Sequence, residues 1–220
     1  MHSTIGDIQK RLQDYEATLI LQNLGQVVIF NRAYLIITEN FLRAREQKLF
    51  IDQNQMDSVF QTFVERYFHA VEQHQHKASK LCRAWQQLFT DSDLQRNPLK
   101  ALILGANAHV NYDLALALEN SKATLSFEHD YTKFMRVIAA PTGAIIDTLH
   151  AQLPATSTAP ATYIYRQAII IVFSCWRMRV WMVFRALHSG RIGEKHIEKQ
   201  SYDFAKKITK YAPLGLFFTL

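Results

Sequence analysis

The sequence predicts an all-α protein, a single-domain bundle of about seven to eight helices gathered around a central apolar helix at about residues 98–120. Three observations predict it. Apolar residues recur at steps of three and four along most of the chain. β-Branched residues nowhere alternate as they would in a half-buried strand. Seven glycines and five prolines in 220 residues leave few points at which a helix must stop. A chain of this length buries roughly 70% of the surface its unfolded state exposes, enough to hold a core without covalent staples.

Taken in order, Ser3 or Thr4 caps a first helix whose Ile5, Ile8, Leu12, Tyr15 and Leu19 form one stripe. A turn containing Gly25 follows, and Asn31 opens a second helix that runs to about Gln47. A third, about Asn54 to Gln75, carries an aromatic-rich inner face of Met56, Val59, Phe60, Phe63, Val64, Tyr67, Phe68 and Val71. A shorter helix holds Leu81, Trp85, Leu88 and Phe89; the aperiodic segment 91–98 is a loop whose Pro98 suits the first position of the central helix. Beyond that helix, Phe127, Tyr131, Phe134 and Ile138 make another stripe, broken at Pro141 and resumed by Ile145, Ile146 and Leu149. The segment 154–160 is an internal loop rich in Pro, Ser and Thr, leading into a long apolar helix from about Ala161 to His188. Gly190 and Gly193 end it, and residues 194–220 give a basic, polar helix from Glu194 to about Tyr211 and an apolar tail.

Composition narrows the function classes. The net charge of +6 is concentrated near the C-terminus, where residues 185–220 hold 7 Lys and Arg against 3 acids. Those lysines are interspersed with acids, so a solvated face is expected and nucleic acid is not the expected partner. The most apolar run, Ala168 to Trp176, is far shorter than the ~20 residues of a membrane span, so no membrane span is expected. Residues 1–10 are polar and acid-containing, unlike a secretory leader. Cys82 and Cys175, each among large apolar neighbours, read as buried thiols of a cytoplasmic protein. The apolar tail can pack on its own domain or on a second copy, giving a homodimer.

The informative stretch lies in the central helix. From Ala101 to Tyr112 no side chain is charged, yet Asn107, His109, Asn111 and then Asp113 interrupt the apolar surface. His109 and Asp113 stand four apart on one face, and Asn107 and Asn111 four apart on the other flank. A buried carboxylate must be paired, hydrogen-bonded or bound to a cation. Two readings are open. In one, His109 and Asp113 only fix the register of neighbouring helices. In the other they line a pocket, with Asp113 orienting His109 as a general base, or with both binding a divalent metal (zinc, iron or manganese) together with a third ligand such as Asp57. His69, His129 and Asp130 are further ligand candidates, while His74 and His76 sit at a polar helix end. Arg66 and Arg177 are placed to complete the site, Arg177 or its neighbour Arg179 by pairing with Asp57 or Asp113. The expected occupant is a small, partly apolar substrate of a hydrolytic or acid–base step. The rival class is a non-catalytic binding protein for an apolar ligand or a partner helix.

Four segments together resemble a known family: Met56–Tyr67, Arg83-Ala-Trp85, Leu104–Leu114 and Trp176–Trp181. In order and approximate spacing, over roughly residues 30–190, they resemble the uncharacterised bacterial family called domain of unknown function 5995. The specific part is the Gly-x-Asn-Ala-His-x-Asn-x-Asp-Leu core from Gly105 to Leu114. The resemblance implies an all-helical domain in which Asp57, Arg66, Tyr67, Asn107, His109, Asn111, Asp113, Arg177 and Trp181 hold motif positions, and it implies no reaction. A more distant similarity is to zinc-dependent phospholipase C and P1-type nucleases, in which a histidine and an aspartate four apart on a helix bind zinc; their second such pair and N-terminal tryptophan have no counterpart here.

Overall fold

A computed structural model describes residues 5–76, 81–91, 94, 97–150 and 159–211, without the side chains of residues 150, 159–172, 177 and 211. The described residues form helices and no strand. They are α1 (Ile5–Leu21), α2 (Gly25–Glu46), α3 (Gln53–Gln75), α4 (Arg83–Thr90) and α5 (Pro98–Ala108), which passes without a break through a π-helical turn (His109–Leu114) into α6 (Ala115–Asn120). Then come α7 (Glu128–Ala139), α8 (Thr142–His150), α9 (Ala159–His188) and α10 (Glu194–Tyr211).

The rod from Pro98 to Asn120 is the centre of the bundle, as its uncharged stretch Ala101–Tyr112 predicts. Every residue of α5 from Ala101 to Ala108 is buried. Around it, α2, α4 and α10 pack on α5; α3, α9 and α10 pack on the π turn; and α3 and α9 pack on α6. α1 lies on α2 and α3, while α7 fills the space between α2 and α9. The rod starts where Pro98 occupies the first turn and Asn97 accepts a hydrogen bond from the Lys100 N–H at 3.0 Å.

Two expectations are corrected here. α2 begins at Gly25, six residues before Asn31, because the turn is made by Asn23 in the left-handed region (φ 57°), with the Leu24 N–H reaching back to the Leu19 carbonyl at 3.0 Å. Asn31 is instead fully buried: its amide donates to the Leu12 carbonyl (2.9 Å) and its oxygen accepts from the Tyr67 hydroxyl (3.0 Å), tying α1, α2 and α3 together. Cys82 is buried, and burial pushes its thiol up to about 12, but Cys175 is exposed. The inward stripe of α9 is Trp176, Val180, Trp181 and Phe184, and Cys175 shares the outer side with exposed Met178 and Met182.

α10 is amphipathic despite its polar composition. Ile197, Ser201, Ala205 and Ile208 form a buried stripe, and Lys195, Lys199, Lys206 and Lys207 remain exposed. No helix among the described residues is long and apolar enough to cross a membrane. Most of the expected 154–160 loop and the 212–220 tail lie outside the described residues.

Candidate functional site

The π-helical turn contains both His109 and Asp113. Such wide i→i+5 turns are rare and favour functional sites. The four-residue spacing brings His109 Nδ1 to 3.0 Å from Asp113 Oδ2. The same oxygen accepts from Trp85 Nε1 of α4 at 3.0 Å, and Asp113 Oδ1 accepts from Arg66 Nε of α3 at 3.1 Å. Three N–H donors satisfy a carboxylate that is 2% exposed, which answers the demand its burial imposes. Because the carboxylate only accepts, Nδ1 carries the imidazole proton and Nε2 holds a bare lone pair.

An aromatic box fixes the imidazole. The ring stacks on Phe63 of α3 at 3.7 Å and 9°. The edges of Tyr34, Phe30 and Tyr67 meet it at centroid distances of 4.6, 5.8 and 6.1 Å, and Trp85 closes the box at 6.0 Å. Phe30 gets this close because residue 105 is glycine; a Cβ there would lie 2.7 Å from the Phe30 Cγ. Burial holds the His109 pKa below the ordinary imidazole value, against the hydrogen bond and charge of Asp113 and with the help of the Arg66 cation.

Among the described residues, His109 Nε2 has no hydrogen-bond partner, and neither has the Tyr34 hydroxyl. Both side chains line an apolar cavity of about 70 Å³ walled by residues of α2, α3, α5, α7, α8 and α9. Its wall residues Ile37, Val110, Ala139 and Phe173 are half-buried. On the opposite side, Arg66, Asp113, Trp85, Tyr112 and Glu194 face a polar surface cleft of about 680 Å³. There the Tyr112 hydroxyl donates to Glu194 at 2.6 Å, and Arg66 lies 3.7 Å from the same carboxylate oxygen. His109 thus lines an apolar cavity while its partner Asp113 lines a surface cleft.

Of the residues predicted for the site, His109, Asp113 and Arg66 come together. Asn107 and Asn111 do not join them. The Asn111 amide donates to Asn107 Oδ1 at 3.0 Å, the Asn107 amide donates to the Ser201 carbonyl at 2.9 Å, and Asn111 Oδ1 accepts from Arg179 at 3.0 Å. Arg179 also reaches Gln200 at 2.5 Å, so this chain of bonds straps α9 and α10 to the central rod. The Arg177 side chain lies outside the described residues. The arginine that neutralises Asp113 is Arg66, and Asp57 is taken by Arg45 in a two-pronged pair at 2.9 Å and by Gln53 at 2.7 Å. Asp130 accepts the backbone N–H groups of Ile51 and Asp52 at 2.9 and 2.7 Å. His69 meets Gln73 at 2.8 Å, and His74 stacks on Phe89.

The residues present do not fit the divalent metal that the spacing predicts. Both Asp113 oxygens are spent on N–H donors and Asp57 on Arg45 and Gln53, and among the described residues no group of three or more His, Cys, Asp or Glu is arranged to hold an ion. The aromatic half of the site is absent from the sequence-based expectation. Tyr34, Phe63 and Trp85 look like ordinary core residues in their stripes. Trp85 gives a sign as the last residue of a short segment shared with the resembled family, and Phe63 and Tyr67 lie in another, Met56–Tyr67.

No curated protein and no solved structure matches the chain. The family model described as "Family of unknown function (DUF5995)" matches residues 5–212, from α1 through α10 and beyond the span of the four resembling segments. The chain belongs to this family of unknown function, DUF5995.

Proposed function

We propose that the chain binds a small, largely apolar molecule in the cavity beside His109, and that the His109–Asp113 pair meets the polar group of that molecule. One observation carries this reading: an imidazole fixed by a carboxylate on one nitrogen, its other nitrogen without a partner among the described residues, belongs to the wall of an apolar cavity. An unpaired buried polar atom costs about 1–3 kcal/mol, a cost that the polar group of a bound molecule would relieve.

The test is a thermal-shift and calorimetric screen of small aromatic and short-chain compounds against the full chain and an Ala139→Leu variant, which adds bulk at a cavity-wall position outside the pair. A true ligand at about a hundred times its Kd stabilises the wild type by roughly 2.7 kcal/mol, or several degrees in Tm, and the variant far less. Equal shifts in both proteins would place binding elsewhere, and no shift with any compound would remove the reading.

A second reading is favoured by the form of the pair. An imidazole held at Nδ1 by a carboxylate is the arrangement of a general base, and a bound molecule with an acidic O–H or N–H would yield its proton to Nε2. Under this reading Asp113→Asn lowers turnover by roughly 10²–10⁴ while ligand binding persists, and turnover falls as pH drops through the His109 titration. Turnover unaffected by Asp113→Asn would leave binding alone.

A further inference from the structure

Arg179 is a half-buried cation that meets no carboxylate among the described residues. It projects from α9 where that helix, the rod and α10 come together. Its Nη1 donates to Asn111 Oδ1 at 3.0 Å and its Nη2 to Gln200 Oε1 at 2.5 Å, and both acceptors are neutral amides. Burial lowers its pKa, with no carboxylate opposing the shift. The acids of the three helices are all engaged elsewhere. α9 contains neither Asp nor Glu. On the rod, Asp113 serves Arg66, Trp85 and His109, and Glu119 lies 3.0 Å from His188 Nδ1. On α10, Glu194 accepts from the Tyr112 hydroxyl, Glu198 accepts from the Arg83 N–H, and Asp203 pairs with Lys206 at 2.8 Å. Withdrawing a charge from water without a counter-ion is costly, and a bound anion would relieve that cost.

The guanidinium is held in place for such a partner. The Asn111 amide N–H is committed to Asn107 and the Gln200 amide nitrogen meets His196, which turns both amide oxygens to Arg179. These bonds occupy two of the five N–H donors of an arginine. The residue keeps part of its surface exposed. Its guanidinium lies over the Phe204 ring at 5.0 Å, and the exposed Lys207 brings a second cation to the same ring at 5.8 Å.

We infer that Arg179 and Lys207 form an oxyanion site at the junction of α9, α10 and the rod, which takes a carboxylate or phosphate group. A planar fork of N–H donors matches the paired oxygens of either group. An ammonium would be repelled, and a neutral ligand would leave the arginine uncompensated. Neither residue lines the cavity beside His109 or the cleft beside Arg66, so the inference stands apart from the reading of that cavity.

The experiment titrates the full chain with sodium phosphate, sodium acetate and sodium chloride at constant ionic strength and pH 7, following the Arg179 Nε–Hε signal by nitrogen-15 NMR and the affinity by calorimetry. Arg179→Lys assigns the signal and keeps the charge while removing the fork, and Lys207→Gln removes the exposed second cation. Phosphate or acetate is expected to move the signal saturably where chloride does not, and the affinity is expected to fall roughly tenfold or more in Arg179→Lys and by a smaller factor in Lys207→Gln. Tighter binding of phosphate would assign the site to a phosphate group, and tighter binding of acetate to a carboxylate. A signal that neither oxyanion moves, or that chloride moves as strongly, would overturn the site. Oxyanion binding undiminished in both variants would place it elsewhere on the surface and overturn the assignment equally. Should Arg179→Lys fail to fold, the wild-type signal and Lys207→Gln decide between these outcomes.

Discussion

At the scale of the residue, the site departs from the rule that buried polar groups are paired. Asp113 obeys it with three donors; His109 obeys it at Nδ1 and breaks it at Nε2, and Tyr34 breaks it at its hydroxyl. Removing an unsatisfied group without changing shape is neutral or stabilising, so Tyr34→Phe should leave stability unchanged or raise it by up to ~1 kcal/mol in denaturant unfolding. A loss of more than that would mean the hydroxyl has a partner. Asp113→Asn should do the opposite. It leaves the partly buried Arg66 cation without its buried counter-charge and disturbs the tautomer of His109, at a cost on the order of 3 kcal/mol in the same measurement. Such residue-scale facts are half legible in the sequence. The spacing of His109 and Asp113 announces their contact, and the buried carboxylate announces that an arginine must come. Which arginine comes depends on whether α3 or α9 faces the π turn with its guanidinium, a tertiary fact that no local pattern carries.

At the scale of the element, the central rod bends its own rules to seat the pair. The π turn from His109 to Leu114 inserts an extra residue into the helical repeat, which rotates α6 by about 100° relative to α5 and lets it turn its apolar residues to α3 and α9. Nothing in the residue types of that stretch distinguishes a π turn from an α one, so the sequence yields a single continuous helix there. Helix ends are hard to read for a related reason. Asn23, Lys48 and Lys122 take the left-handed conformation at three ends where only Gly190 does so at a fourth, and a search for glycine and proline passes over the first three. Gly105 works differently, since it lies mid-helix to admit the Phe30 ring. Gly105→Ala should therefore destabilise by about 1–2 kcal/mol net, because overpacking against Phe30 outweighs the better helix propensity of alanine. A stabilised Gly105→Ala, measured by thermal or denaturant unfolding, would show that α2 and α5 are not in close contact.

At the scale of the whole molecule, the bundle buries one histidine in the wall of an apolar cavity and disfavours its protonation. Burial lowers the His109 pKa, with Arg66 acting the same way and Asp113 opposing. The unfolded chain therefore binds the proton more readily than the folded one, so stability is full above the ordinary imidazole value of roughly 6.5 and declines as pH falls below it. His74, lowered by its own burial, adds slope of the same sign, and the difference between wild type and His109→Phe isolates the His109 share. The all-helical class and the central rod are plain in the sequence because periodicity and the absence of charge are properties of a segment. The docking of α10 is not, because Ile197, Ser201, Ala205 and Ile208 are too few among lysines and acids to announce a buried face. The family match runs on through α10.

The most direct measurement is nitrogen-15 NMR of the His109 imidazole at pH 7, with and without a compound that the thermal-shift screen finds, assigned against His109→Phe. The expected result is a neutral ring with its proton on Nδ1, and an Nε2 resonance that moves when the compound is added. A ring protonated on both nitrogens, one carrying its single proton on Nε2, or an Nε2 resonance that the compound leaves unmoved would contradict the account of His109 as a neutral ring held by Asp113 beside a bound molecule.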